Sequence, residues 1–276
     1  MKPTAEDYFN AGPYRLFYRY YQVPGAKKCC LILHGHGEHS GRYEKMQTVL
    51  ESEGISTAIF EYRGQGRSEG QEVYVDSFED YVEDVSRFLF FLQGKFDWKE
   101  PFILLGHSLG GLVAVYWAQR FPEKIRGLIL SSPCFGLRLP GILVGLNKIL
   151  NKIIPKMIYA NPVYPPHLTH NIQEMETYKN DPYIKRKISV RLAHEMLSYG
   201  LRLDGLEKIK FPFPVYMLSS GLEKVVDGQR AENFFKKLEV PDKRCRTFEG
   251  FYHELFHELD QDKAFGVLRE YLRLVR

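Results

Sequence analysis

The sequence predicts an α/β protein built on a mostly parallel sheet with helices on both faces. Short apolar runs alternate with stretches of helical spacing, and this alternation favours a doubly wound sheet. Several of the apolar runs end in glycine-rich turns, as strand-to-helix connections often do. The 276 residues suffice for one large domain, and 44% hydrophobic with 26% charged residues is ordinary for a globular chain.

Composition and charge argue against several classes of protein. No apolar stretch approaches the length of a membrane span, and residues 1–7 lack the apolar core of a signal peptide, so we expect a cytoplasmic protein. The four cysteines form no CxxC pair and no recognisable disulfide framework. The net charge of +4 is too mild to indicate nucleic-acid binding. We therefore expect no nucleic-acid partner, no cofactor and no metal ion.

The first half of the chain contains most of the predicted sheet. An aromatic-rich opening strand or hairpin covers 14–23. The apolar runs that follow are typical of strands buried on both faces of a parallel sheet. They lie at 29–33, 57–60, 102–105 and 127–130, with helices predicted over 43–52, from 77 to 92, and after Ser108.

The alternation of strands and helices is interrupted between residues 134 and 210. It resumes with a strand at 214–218, a helix at 229–238, a strand at 245–248 and a final helix at 262–276. We therefore predict that residues 1–133 and 211–276 form one core, and that 134–210 is an inserted cap.

The pentapeptide Gly106-His107-Ser108-Leu109-Gly110 carries the strongest chemical signal. It follows the predicted strand 102–105 and precedes an apolar stretch that predicts a buried helix. At such a turn, Gly-x-Ser-x-Gly holds the serine in a strained bend with its hydroxyl projecting from the sheet. Side chains at the two glycine positions would collide with the crossing strand and helix. We predict that Ser108 is a nucleophile, and that the inserted cap covers it.

A nucleophilic serine needs a base that is oriented by a third group. In sheets of this topology the acid and then the histidine follow the serine, each after a later strand. His253 follows the strand at 245–248, and two carboxylates follow the strand at 214–218. Glu223 lies nearer to the strand end, whereas Asp227 also fits the start of the next helix. We predict Ser108, Glu223 and His253 as the catalytic set, with Asp227 as the alternative acid.

Stabilisation of a tetrahedral oxyanion requires two N–H donors. Leu109 directly follows the nucleophile and supplies one. His36 lies in the glycine-rich turn after the strand at 29–33 and supplies the other.

Four segments of the chain resemble the monoacylglycerol lipase and lysophospholipase family of serine α/β-hydrolases. They are His34-Gly35-His36-Gly37-Glu38-His39-Ser40-Gly41-Arg42-Tyr43, Arg63-Gly64-Gln65-Gly66-Arg67-Ser68, the serine pentapeptide, and Phe251-Tyr252-His253-Glu254-Leu255-Phe256. The resemblance implies the α/β-hydrolase fold with an inserted helical cap over an apolar tunnel. It also implies hydrolysis of carboxylic esters of monoacylglycerol or lysophospholipid-like substrates through an acyl-enzyme.

Four positions depart from the usual pattern of this family. Glu223 stands where an aspartate is usual, although glutamate serves as the acid in other hydrolases of this fold. His36 replaces a usually small residue, which predicts a narrower pocket floor. Gln65 replaces a usual histidine and Glu61 a usual aspartate, so the packing behind the site is expected to differ.

The insertion at 134–210 concentrates the positive charge of the chain. It contains 12 lysines and arginines against six acidic residues, so the rest of the chain carries a net charge of −2. Apolar residues recur at helical spacing from Leu146 to Ile158, opposite lysines and asparagines, with an interruption near Pro155. This pattern fits contact with a lipid or membrane surface. It equally fits a helix that packs its apolar face down on the site.

Other functions are compatible with parts of the sequence. A small-ester carboxylesterase or an aminopeptidase-like hydrolase would use the same catalytic set, and an inactive binding scaffold would be expected to have lost one member of it. The stretch from His253 to His257 also matches the zinc motif His-Glu-x-x-His. That motif needs both histidines on one continuous helix, which Gly250 and the preceding strand disfavour.

Overall fold

A computed structural model describes residues 2–161 and 163–275 of the chain. The strands are β1 (Ala5–Ala11), β2 (Tyr14–Tyr21), β3 (Lys28–Leu33), β4 (Ile55–Phe60), β5 (Phe102–His107), β6 (Ile125–Ser131), β7 (Ile158–Ala160), β8 (Lys187–Ser189), β9 (Ile209–Lys210), β10 (Val215–Ser220), β11 (Leu238–Glu239) and β12 (Lys243–Phe248). Eight of these described strands form one sheet in the order β1-β2-β4-β3-β5-β6-β10-β12. The pairs β1–β2 and β2–β4 are antiparallel and the other neighbours are parallel. The prediction of a mostly parallel sheet is confirmed.

Helices cover both faces of the sheet. The described helices, in chain order, are α1 (Glu44–Ser52), α2 (Glu79–Lys95), α3 (Leu109–Arg120), α4 (Gly141–Ile153), α5 (Ile172–Asn180), α6 (Val190–Asp204), α7 (Gly228–Lys237) and α8 (Gln261–Leu274). On one face α1 and α8 pack through buried residues such as Leu50 and Leu268. On the other face α2, α3 and α7 contribute Phe88, Leu112 and Phe234 to a larger core. Within the described ranges, no helix is long and apolar enough to cross a bilayer.

The central strands are apolar on both faces because helices cover both faces. Every residue of β5 is buried, and in β3 only Lys28 is partly exposed. Since β3, β5, β10 and β12 run parallel, their carboxyl ends meet at one edge of the sheet. The turns that follow these four strand ends hold His36, Ser108, Glu223 and His253.

The edge hairpin extends further toward the N-terminus than the sequence predicts. The predicted opening strand corresponds to β2, and β1 pairs with it along its whole length. In β1 only Phe9 and Ala11 are buried, among mostly exposed polar residues. An edge strand of this kind has too little apolar periodicity to be recognised from the sequence.

The described residues of the segment 132–208, between β6 and β9, lie outside the eight-stranded sheet. This segment contains α4, α5, α6 and a separate antiparallel pair formed by β7 and β8. The predicted interruption near Pro155 is present, because α4 ends at Ile153.

Helix α4 exposes its apolar face. The side chains of Ile142, Ile149 and Ile153 are 81%, 58% and 70% exposed, whereas Asn147 and Asn151 are buried. Asn147 faces α6, where its Nδ2 donates to the carbonyl oxygen of Val190 over 3.1 Å. The expectation that this helix packs its apolar face down on the site is met only in part: the isoleucines face outward, whereas Leu146 and Leu150 line a cavity beside the helix.

Candidate active site

Ser108 lies at the turn between β5 and α3. Its backbone angles are φ 51° and ψ −117°, a left-handed conformation that costs a non-glycine residue roughly 1–3 kcal/mol. A Cβ at Gly106 would lie 2.4 Å from the carbonyl oxygen of Gly110, and a Cβ at Gly110 would lie 2.0 Å from that of Leu33. Only glycine fits at these two positions, as the pentapeptide predicts.

His253 and Glu223 are joined by a hydrogen bond. His253 Nδ1 donates to Glu223 Oε2 over 2.9 Å. The other carboxylate oxygen of Glu223 accepts from the N–H groups of Val225 and Val226 over 2.8 and 3.2 Å. This arrangement leaves Nε2 of His253 as the ring nitrogen free to act as a base.

The electrostatic surroundings favour an ion pair between these two groups. Burial disfavours the charged forms of both, but their attraction dominates. The charge of His253 and the hydrogen bonds hold the pKa of Glu223 below its usual range. The Glu223 carboxylate, aided by Glu254 and Glu38, raises the pKa of His253 above its usual value.

Ser108 and His253 line the same cavity. The space encloses about 860 Å³, including its mouth to solvent. Much of the wall is apolar, and the apolar residues are Leu137, Leu139, Tyr159, Val163, Leu168, Ile188, Ala193, Met196, Val225 and Val226. His167 also lines the wall. The serine therefore faces a pocket suited to an apolar chain.

The two predicted oxyanion donors are backbone N–H groups at the turns after β3 and β5. Among the described residues, the backbone N–H groups of His36 and Leu109 donate no hydrogen bond. The next N–H in the turn, that of Gly37, donates to Gln65 Oε1 over 2.7 Å, and Gln65 in turn donates to Tyr81 Oη over 3.1 Å. The glutamine that replaces the family's usual histidine thus holds this turn in place.

The imidazole of His36 contacts β8. Its Nε2 donates to the carbonyl oxygen of Lys187 over 2.9 Å, and burial lowers its pKa to about 4, so the ring is neutral at pH 7. Beside it, the carbonyl oxygen of Gly37 accepts from the N–H of Lys185 over 2.8 Å. The turn after β3 is therefore tied directly to the segment outside the sheet. His36 also lines the cavity, where the sequence predicts that it narrows the pocket floor.

A buried charge cluster supports the site from behind. Arg42 forms ion pairs with Glu38 and Glu254, and all three side chains are about 5% exposed or less. Burial raises the pKa of Glu254 to about 7, despite the opposing charge of Arg42. The cluster joins the turn after β3 to the turn that carries His253. Sequence reasoning missed these roles, although the three residues lie inside the segments that carry the family resemblance.

Asp227 and His257 have other partners. Asp227 Oδ1 accepts from the N–H of Gln229 over 3.1 Å and so caps α7. His257 lies in a short 3₁₀ turn, where its Nε2 donates to the carbonyl oxygen of Arg42 over 3.1 Å. His253 precedes this turn and bonds Glu223, so the two histidines are not on one helix face as the zinc motif requires.

The sheet order, the helices on both faces and the serine at the strand-to-helix turn define an α/β-hydrolase. A family model described as serine aminopeptidase, S33, matches residues 24–260. The chain belongs to this family of serine hydrolases, and the predictions of fold and enzyme class are confirmed.

Individual relatives agree with this assignment. Phospholipase YtpA of Bacillus subtilis is 32% identical over 249 residues, which cover 87% of this chain and 93% of that protein. Monoglyceride lipase of Homo sapiens is 30% identical over 259 residues, which cover 91% and 84%. Among solved structures, the monoacylglycerol lipase of Paleococcus ferrophilus gives a TM-score of 0.84 at 28% identity and covers 93% of this chain and 98% of its own.

Proposed function

We propose that this protein hydrolyses carboxylic esters of single-chain acyl lipids, monoacylglycerol or lysophospholipid-like, through an acyl-enzyme on Ser108. The observation that carries the proposal is the shared cavity, in which Ser108 and His253 meet apolar walls. Relatives named phospholipase and monoglyceride lipase, similar along most of their length, support the same substrate class.

In the proposed chemistry His253 acts first as a base and then as an acid in each half-reaction. Ser108 Oγ attacks the acyl carbonyl while His253 Nε2 accepts its proton, and Glu223 stabilises the imidazolium. The N–H groups of His36 and Leu109 stabilise the oxyanion. The imidazolium then gives its proton to the leaving alcohol. In the second half-reaction His253 takes a proton from a water molecule whose oxygen attacks the acyl carbonyl, and the imidazolium returns that proton to Ser108 Oγ as the fatty acid leaves.

A second apolar cavity adjoins the one that holds Ser108 and offers room for the acyl chain in this proposal. This second cavity lies between α4 and α6 and shares Leu139, Tyr159 and Ala193 with the first. Its remaining wall is also largely apolar. A chain bound at Ser108 would extend past these shared residues, so the enzyme is expected to accept long single chains.

We also propose that residues 134–210 form a cap that contacts lipid surfaces through α4. The exposed isoleucines of α4 alternate with Lys148 and Lys152, which are exposed as well. An apolar face flanked by lysines suits the boundary of an anionic membrane. The four cysteines are all free, which fits a reducing compartment, so we place the protein in the cytoplasm with peripheral membrane contact.

An aminopeptidase would need a carboxylate in the cavity to bind the substrate's ammonium group. Glu38 and Glu254 line the cavity, but the guanidinium of Arg42 engages both, and burial raises the pKa of Glu254 to about 7. This pairing favours an ester substrate over a peptide.

The substrate class can be tested with matched esters and amides. We expect kcat/KM on 1-acylglycerols to rise from acetyl to at least dodecanoyl chains, with negligible cleavage of aminoacyl 4-nitroanilides. Rates that are highest for acetyl esters would indicate a small-ester carboxylesterase. Cleavage of the nitroanilides alone would indicate an aminopeptidase.

A further inference from the structure

Two cations lie in the wall of the cavity that holds Ser108 and His253. Arg138 donates through Nη1 to the carbonyl oxygen of Glu223 over 2.7 Å. Lys224 donates through Nζ to Tyr252 Oη over 2.6 Å and lies 4.0 Å from the centroid of that ring. Both side chains are therefore held in place before any ligand binds, which lowers the entropy cost of binding one.

Neither cation forms an ion pair with the part of the chain that the structure describes. Within the described ranges, no carboxylate oxygen lies within 4.0 Å of the charged nitrogens of Arg138 or Lys224. The nearby Glu223 carboxylate is engaged by His253 and by two backbone N–H groups. Two carboxylates of the wall, Glu38 and Glu254, are paired with Arg42.

Two histidines of the wall, His36 and His107, add no further positive charge at pH 7. Burial lowers the pKa of both His36 and His107 to about 4, so both rings are neutral at pH 7. The cavity therefore presents an apolar wall together with two cations that form no ion pair with the described residues. An anionic head group would be attracted electrostatically to these two cations, whereas a neutral glycerol head group would not.

We propose that Arg138 and Lys224 bind the phosphate of a lysophospholipid, and that phosphate-bearing single-chain glycerolipids are preferred over neutral monoacylglycerols. This inference rests on the proposed function and specifies its substrate. The phosphate of a 1-acylglycerol 3-phosphate sits at the opposite end of a three-carbon backbone from the scissile ester. Arg138 donates a hydrogen bond to the peptide carbonyl of Glu223, so its guanidinium lies beside the residue that bonds His253. The planar guanidinium and the ammonium are both suited to phosphate oxygens.

The expected preference is moderate because both side chains are exposed. Water and salt screen such charges, so the gain is expected to be about tenfold rather than many thousandfold. For the same reason, the preference should decrease as the salt concentration rises.

The test compares 1-octanoylglycerol with 1-octanoylglycerol 3-phosphate, both below their micelle-forming concentrations so that surface binding does not contribute. The wild type should show a kcat/KM about tenfold higher for the phosphate ester. Arg138→Gln with Lys224→Gln should abolish that ratio, mainly through KM for the phosphate ester. The matched control, Lys27→Gln with Lys263→Gln, removes two exposed charges outside the cavity and should keep the ratio.

Several outcomes would overturn the inference. A wild-type ratio near one or below it contradicts it, as does a cavity double variant that keeps the wild-type ratio. Inorganic phosphate that inhibits as strongly as glycerol 3-phosphate would indicate a general anion site instead of a head-group site. If 4-nitrophenyl octanoate is cleaved but neither glyceride is, the proposed function fails together with this inference; if 1-octanoylglycerol is cleaved without a phosphate preference, only this inference fails.

Discussion

Glu223 and His253 are 30 residues apart and follow different strands, yet Oε2 of the first and Nδ1 of the second lie 2.9 Å apart. Glu223 follows β10 and His253 follows β12, and these strands are parallel neighbours. The topology thus brings the two turns together, while Asp227 is directed to the N-terminus of α7.

The first prediction concerns the acid. Glu223→Gln should lower kcat on a soluble ester by about a thousandfold or more, because an amide cannot stabilise the imidazolium. Asp227→Asn is the matched control and should stay within about threefold, because asparagine caps a helix as well as aspartate does. Steady-state kinetics on both variants shows which of the two carboxylates orients His253. The opposite ranking would transfer the role to Asp227.

The second prediction concerns pH. His253 acts as a base only when neutral, and its pKa is raised by Glu223 against the effect of burial. Activity should therefore fall with decreasing pH at a point above the ordinary imidazole value of about 6.5. In Glu223→Gln, burial remains while the carboxylate charge is lost, so the residual activity should fall only at lower pH.

A second buried group complicates this profile. Glu254 has a pKa raised to about 7 by burial and titrates in the same range. Glu254→Gln should move the acid limb of kcat/KM less than Glu223→Gln does. An acid limb that moves only in the Glu254 variant would assign the titration to Glu254 instead of His253.

The third prediction concerns the serine turn. Gly110→Ala should destabilise the fold by more than about 3 kcal/mol, because its Cβ would meet the Leu33 carbonyl oxygen at 2.0 Å. Gly266→Ala is the control: it lies inside α8 with open space around it and should stabilise by about 0.5–1 kcal/mol. Urea unfolding monitored by circular dichroism measures both. Equal stability of the two variants would refute the packing argument.

The fourth prediction concerns α4. Ile149→Ser with Ile153→Ser should weaken binding to anionic vesicles by at least about tenfold, because two exposed apolar side chains are lost from the proposed membrane face. Hydrolysis of a soluble short ester should be unaffected. Phe90→Ser removes an even more exposed apolar side chain from α2 and should leave vesicle binding intact. Unchanged sedimentation of the double variant with vesicles would rule out α4 as the contact.

The sequence was sufficient to predict the features that depend on local pattern. The buried strand before Ser108 and the helix after it follow from uninterrupted apolar runs, and the strand order places the turn of Glu223 beside that of His253. Other features depend on tertiary contacts. The burial of Asn147 follows from its bond to the Val190 carbonyl, and helical periodicity alone does not show which face of α4 meets the protein. The contact of His36 with Lys187 links positions 151 residues apart, beyond the reach of any local pattern.

The most direct measurement for the whole account is covalent labelling of the active serine. The purified protein is treated with a fluorophosphonate, digested and examined by mass spectrometry, alongside Ser108→Ala of confirmed folded structure. The account predicts one equivalent of label on Ser108, concurrent loss of ester hydrolysis, and neither label nor activity in the alanine variant. Label on another residue, or a Ser108→Ala variant that retains hydrolysis, would contradict it.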